Sequence, residues 1–411
     1  MHLSKLALCT ALATATASAT ASAQEAGSID LGGFDLIPTV TTSLSYDDNV
    51  TRSIANSTDS FVSIIAPELM LLNNFGANQL QVGYSLKRGD YFSTSEDDYT
   101  DHFLSASLGM ELNSRNRFNT SVLFEAGHEA RGTGFSLGGG DALTSADKYK
   151  QKDFNFAYSY GALTANARID VNLAVQDMDY DSKYIAVENA AGVTEQVDNY
   201  RSRDRTSETI GTSFYYNLAS ATDLVVDLVH KNLDYDVARD PLNPLDSAES
   251  SVLVGVKWES TAATTGYAKV GIKRKDFDVE TRDKFTGNIW QAGVTWQPYE
   301  RSTFNLVTNS DTRETNAEGN FIVAETIAVD WQHQWMERLS TTASVAYGTD
   351  TYDAQSNERK DKTSDFSLVA AYQFTRWMTV QAGYKFEKLT SNRQSIGYNR
   401  TLFSITARIT L

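Results

Sequence analysis

The chain has 411 residues, five prolines, a single cysteine and a formal net charge of −16. The acidic balance argues against nucleic acid as a partner, because a phosphate backbone is bound by clustered Lys and Arg. Cys9 is the one cysteine, so nothing downstream of it can form a disulfide or a thiolate metal site. Five scattered histidines (His2, His102, His128, His230, His333) have no ligand spacing, and neither a metal nor a cofactor is expected.

The N-terminus reads as a secretory signal. Lys5 supplies a short positive region, Leu6 to Ala13 a small apolar core, and Ala21-Ser22-Ala23 the small-x-small pattern of a cleavage site before Gln24. The apolar core is too short to span a bilayer. A lipoprotein signal at Cys9 is the rival, but Leu8 stands where a small residue is wanted. The expected organisation is a signal peptide over 1–23, a short periplasmic segment over 24–33 and one β-barrel over 34–411. Without Lys5 the exported chain carries 35 basic and 52 acidic side chains.

From Phe34 to Leu411 one pattern runs unbroken, with no biased linker to separate domains. In Leu80-Gln81-Val82-Gly83-Tyr84-Ser85-Leu86-Lys87 apolar residues alternate with polar or small ones. A strand points successive side chains to opposite faces, so such a segment is greasy on one side and wet on the other. The same dyad recurs through Leu104 to Leu112, Phe118 to Ala126, Ala165 to Leu173, Val252 to Trp258, Ala292 to Trp296, Phe366 to Phe374, Val380 to Phe386 and Phe403 to Leu411. The segments run to about ten residues or more, the length of a tilted transmembrane strand, whereas soluble strands cluster near five or six. A membrane admits sheet only where the sheet closes, since an open edge leaves backbone groups unsatisfied in lipid.

In chain order the strands centre near residues 40, 67, 84, 107, 123, 155, 170, 211, 228, 255, 271, 293, 306, 328, 345, 369, 384 and 406. Tight connections are expected near Asn74, Arg115, Ala162, Ala219, Ala262, Tyr299, Glu337 and Arg376. Long ones are expected near Ala55, Glu96, Gly138, Val193, Asn243, Arg282, Asn316, Ser356 and Arg393. The fold class is therefore all-β: a transmembrane antiparallel up-and-down barrel of about 18 strands, with short periplasmic turns and long extracellular loops. The second strand, which contains Pro67, and the thirteenth are the weakest, and 16 strands is the alternative count. Trp258, Trp296, Trp335 and Trp377 all sit beside short turns and are expected to form a membrane-interface girdle.

Chemistry is expected in the lumen. If the apolar phase faces lipid, the inward set includes Arg168, Lys257, Lys269, Lys273, Lys385 and Arg408 with Glu111, Glu125, Asp170, Asp227 and Asp330. Opposed charges across a pore tune ion selectivity; alternatively these groups pair with one another and fill the space. Tyr215 and Tyr267 are among the few inward aromatics. No catalytic residue is expected, because Glu125 and His128 are three apart on a strand and point to opposite faces, and His102 and His333 have no evident Ser or Asp partner. The acidic runs Asp47-Asp48-Asn49 and Asp177-Met178-Asp179-Tyr180-Asp181 lack the spacing of a calcium loop. The loops Arg131 to Lys148 and Asp181 to Arg205 are long enough to fold inward, and Gly138-Gly139-Gly140 should make the first one flexible.

Several segments resemble an outer-membrane β-barrel porin family found beside exopolysaccharide and capsule secretion genes. They are Pro38 to Val50, Ile65-Ala66-Pro67-Glu68-Leu69, Tyr84 to Phe92, Tyr99-Thr100-Asp101-His102, Gly127 to Gly132, Trp331 to Tyr347 and Tyr372 to Tyr384. The resemblance covers nearly the whole exported chain. It implies a conduit for an extracellular polysaccharide, working with periplasmic export proteins and carrying no catalytic residues. A passive porin for small hydrophilic solutes is the alternative. Expected partners are outer-membrane lipids, lipopolysaccharide and the barrel-assembly machinery of a Gram-negative cell.

Overall fold

The computed structural model describes residues 27–411, apart from 183, 189–193, 199, 220, 262, 316–317 and 354–357. The expected signal peptide, its cleavage site and the lipoprotein reading of Cys9 lie outside the described residues.

Eighteen long strands form the wall. They are β1 (Asp35–Asp47), β2 (Ser60–Phe75), β3 (Asn78–Tyr91), β4 (Tyr99–Asn113), β5 (Asn116–Glu129), β6 (Asp147–Tyr160), β7 (Ala167–Tyr180), β8 (Arg205–Ala219) and β9 (Thr222–Tyr235). The second half continues with β10 (Ser247–Thr261), β11 (Thr264–Phe277), β12 (Phe285–Tyr299), β13 (Ser302–Glu314), β14 (Phe321–Met336), β15 (Leu339–Tyr352), β16 (Arg359–Thr375), β17 (Met378–Ser391) and β18 (Gly397–Thr410). Each pairs antiparallel with its sequence neighbours, and β1 pairs with β18 from Thr39↔Thr410 to Asp47↔Leu402. The sheet therefore closes on itself into a ring, as a sheet in lipid must. The 18-strand expectation holds, and the expected connections at described residues fall at or beside observed ones; Val193, Ala262, Asn316 and Ser356 lie outside the described residues.

The strand expected to be weak at Pro67 survives because the ladder steps over it. Proline has no N–H to donate. The β2–β3 ladder passes from Ile65↔Arg88 to Glu68↔Ser85 without a change of register. Outside the ring, Ile29–Asp30 adds two residues antiparallel to the start of β1. A short hairpin, Tyr184–Glu188 with Thr194–Asp198, stands in the loop after β7.

Burial follows the dyad. Leu44, Phe61, Leu104, Val122, Val254, Val270, Ile272, Val345, Phe403 and Ile405 are exposed on the outer face. Most of their inward neighbours are polar, small or charged, with apolar exceptions such as Val62 and Leu253 buried inside, so this is largely the inverse of a soluble sandwich, whose apolar faces meet in a dry core. Trp296, Trp335 and Trp377 are each about half exposed. The outer-face rings Trp296, Phe304, Trp331, His333 and Trp335 run as a chain, with successive centroids 5.3, 6.2, 5.7 and 4.3 Å apart. Trp331 and His333 extend the row that the turn-flanking tryptophans begin.

Candidate functional site: the lumen and its outer closure

The long-loop end of the barrel is drawn inward at two seams. The β12–β13 ladder ends at Trp290↔Ser310, while β13 stays paired with β14 as far as Glu314↔Phe321. Beyond Ser310 the outer face of β13 no longer meets lipid. It rests on the inner faces of β9 to β12. Glu314 accepts from Lys275 at 2.8 Å and from the Tyr235 hydroxyl at 3.2 Å, and Thr312 donates to Glu249 at 3.3 Å. Phe321 meets Phe285 edge-on at 4.9 Å. The thirteenth strand, weak in sequence, is the one that leaves the wall.

The second seam lies between β4 and β5, whose ladder stops at His102↔Ala126. Past it, His128 turns in over β4. It stacks on Tyr99 at 4.0 Å and binds Asp101 at 2.8 Å. Glu125 is taken by the Tyr149 hydroxyl at 2.5 Å, so Glu125 and His128 form no dyad. The expectation that His333 lacks a partner fails: its Nδ1 lies 3.2 Å from Ser302 Oγ. Ser302 also accepts from Trp331 Nε1 at 3.0 Å. Ser302 stands on the strand paired with His333, a proximity that only cross-strand register reveals.

Buried ion pairs gather at this long-loop end of the barrel. Lys275, with no exposed surface, bridges Glu249 at 3.0 Å and Glu314 at 2.8 Å. Lys273 joins Glu249 at 3.0 Å and also meets Asp311. Arg203 binds Asp147 at 2.8 Å and Glu129 at 3.3 Å, with the rings of Phe135, Tyr180 and Tyr200 each 4.3 Å from its guanidinium. Arg400 grips Asp47 at 2.5 Å and Glu387 at 2.9 Å. Arg359 holds Asp361 at 2.5 Å. Apart from Arg359–Asp361, two apart on β16, these pairs were not legible in the sequence, because they join residues from separate strands or loops.

The loop after β5 folds inward. Arg131 clamps Asp97 with two hydrogen bonds, 2.7 and 2.5 Å long. That contact holds the Arg131 guanidinium above its ordinary pKa. Arg52, itself in the left-handed region at φ 51°, donates to the Arg131 carbonyl at 3.2 Å, and burial lowers its pKa. Gly132 and Gly140 both press on the Thr51 carbonyl, where an added Cβ would stand 2.2 Å away. Gly138, at φ 84°, packs so close to Ile396 that a Cβ would come within 2.7 Å. Gly138 and Gly140 of the glycine run thus permit close backbone approach to the loops after β17 and β1.

The inward set named from the sequence is placed as follows. Arg168 lies 3.3 Å from Asp170 and 4.0 Å from the Tyr215 ring. Lys269 binds Asp227 at 2.6 Å and lies 5.6 Å from the Tyr267 ring. Lys257 meets Glu259 at 3.0 Å, and Lys385 meets Glu387 at 2.5 Å. Asp330 stands opposite Asn305 and Ser344, Arg408 opposite Thr41 and Thr379, and Glu111 opposite Arg117. The acidic runs are likewise engaged: Asp47 by Arg400, Asp48 by the Thr401 N–H at 2.6 Å, and Asp177 and Asp179 by Lys152 at 2.6 and 3.2 Å.

A closed 18-strand barrel with an apolar outside, a polar inside and loops folded over one end is the architecture of a β-barrel porin. The chain belongs to the family described as "Putative beta-barrel porin 2", whose model matches residues 23–411. The likeness to a β-barrel porin family read from the sequence is thereby borne out. No curated protein matches the chain. Among solved structures it is similar to OpdK, an outer membrane protein of Pseudomonas aeruginosa, at 12% identity and a TM-score of 0.48, covering 92% of this chain and 99% of that one. OpdL of the same organism gives 9% and 0.48, with 93% and 100% covered. The ferric-catecholate import receptor Fiu of E. coli K12 gives 9% and 0.47, with 94% and 82% covered.

Proposed function

We propose that this barrel is a passive outer-membrane porin for small hydrophilic solutes. The observation that carries the reading is the inward-folded loop from Arg131 to Ala146, pinned to Thr51, Asp97 and Ile396. A wet lumen narrowed by a fixed loop suits size-limited diffusion. A polysaccharide conduit needs a continuous wide path, and the buried ion pairs at the β12–β13 seam stand against one. The apolar outer face and its aromatic row support residence in a bilayer, with the short turns periplasmic. A cleaved signal peptide, folding by the barrel-assembly machinery and contact with lipopolysaccharide belong to the same proposal. Within it, the inward charges set ion preference and Trp258, Trp296, Trp335 and Trp377 anchor one interface.

The test is reconstitution of the folded, full-length protein in liposomes, with swelling rates for solutes of graded size. Entry of small sugars that falls steeply with solute mass supports the porin. Absence of any solute flux, in a preparation whose barrel is folded by circular dichroism and heat-modifiable mobility, overturns it. Equal entry of long dextrans would favour the conduit.

A further inference from the structure

The lumen wall is chemically divided. Across β9 to β11 it carries the charged groups Asp227, Lys257 and Lys269. Across β4 to β7, between the inward charges Glu111, Glu125, Arg168 and Asp170, it carries a patch whose own side chains are uncharged. Ser107, Asn119, Ser121, Asn155 and Asn172 lie side by side there, lining a hollow of about 270 Å³. Ser107 stands opposite Ser121, and Ser121 opposite Asn155. Asn119 and Asn172 both flank Ala157.

Small residues make the hollow. Ala157 and Ala174 separate the asparagines, and Gly109 faces Asn119. A Cβ on Gly109 would come within 2.8 Å of Asn119 Oδ1, so any larger residue displaces that amide. The five polar side chains make no hydrogen bond to another described residue, and the three asparagines are exposed to the lumen. Their donors and acceptors are therefore open to whatever fills the pore. Of the charged residues around the patch, Glu125 is engaged by Tyr149 at 2.5 Å, Asp153 by Gln151 and Gln176 at 2.6 and 2.9 Å, and Asp170 lies 3.3 Å from Arg168, while Glu111 stands opposite Arg117.

We propose that this hollow is a binding subsite for an uncharged polyol, of the size of one sugar ring; it rests on the reading of the barrel as a solute porin. Amide and hydroxyl groups each both donate and accept, as alcohols do. A carboxylate only accepts, so the amide oxygens would repel it. A cation only donates, and no counter-charge offsets its desolvation. The volume matches about nine waters of liquid, close to the lower bound of small-molecule sites.

The experiment is saturation-transfer NMR on the folded, full-length barrel in detergent micelles, with sucrose as probe and citrate and choline as charged comparators. Transfer to sucrose is expected, with little to either ion. N119A, N155A and N172A should each weaken sucrose binding by about fivefold, the effect of one lost hydrogen bond. K257A, on the charged wall, should leave it unchanged. G109V fills the hollow and should abolish transfer. No transfer to sucrose, equal transfer in the asparagine variants, or stronger transfer to citrate or choline would each overturn the subsite. Ion conductance of the same preparation in planar bilayers is read separately. A conducting barrel that ignores sucrose refutes the subsite alone, and a sucrose-binding barrel that neither conducts nor admits solute refutes the porin.

Discussion

The buried Lys275 bridge is predicted to hold the upper half of β13 over the lumen, and Glu314→Gln tests this directly. Lys275 has no exposed surface and lies between Glu249 and Glu314. Removing one partner of a buried pair costs about 3–5 kcal/mol when the remaining charge is left alone. Glu249 still faces Lys275 in the variant, so about 2 kcal/mol is the expected share, or about a thirtyfold shift between inturned and released β13. The assay is single-channel recording of refolded protein. Glu314→Gln should show more frequent transitions and a larger mean conductance than the parent. The quadruple change Lys273→Met, Lys275→Met, Glu249→Leu and Glu314→Leu replaces the buried charges, including the Lys273 that Glu249 also holds, by apolar volume and should restore the quiet state, since such replacements of buried ions are often neutral or stabilising. Identical conductance and noise in parent and Glu314→Gln, with both barrels folded, would refute the clamp.

Three further outcomes follow from the geometry. Gly132→Val would drive a side chain into the Thr51 carbonyl; release of the loop should raise conductance and open 131–146 to protease, and an unchanged digest would count against the fixed-loop reading. Lys269→Ala leaves Asp227 unpaired in the lumen, so the reversal potential in a salt gradient should move toward cation preference, with Asp227→Asn moving it the other way; shifts of the same sign would contradict an inward placement of the pair. Burial raises the Asp204 pKa in the loop before β8, although its Oδ1 accepts from the Tyr180 N–H at 2.7 Å. A carboxyl with a raised folded pKa lends stability fully below its unfolded value, about 3.9, and loses it as pH rises through the folded value. Parent protein should therefore lose melting temperature relative to Asp204→Asn as pH climbs from about 4, and the opposite slope would contradict the assignment.

The dyad from Leu80 to Lys87, repeated along the chain, fixed the strands, their faces and the alternation of short and long connections by itself. Side-chain alternation is a local property of the extended backbone, and a bilayer selects for it strand by strand. Closure was implied as well, because β1 and β18 have no other way to satisfy their edges in lipid. What only the tertiary structure decided is which residues meet. His333 found Ser302, Arg203 found Asp147, and Glu314 found Lys275 across strand or loop separations that no spacing rule records. The inward face of the dyad was legible, but the sequence pattern does not say that outer-face Thr312 and Glu314 would be buried. That follows from the β12–β13 ladder ending at Ser310, beyond which Glu314 meets Lys275 and Thr312 meets Glu249. The glycine run shows the same division: composition permits bending, and only the positions of Thr51 and Ile396 turn that freedom into close packing.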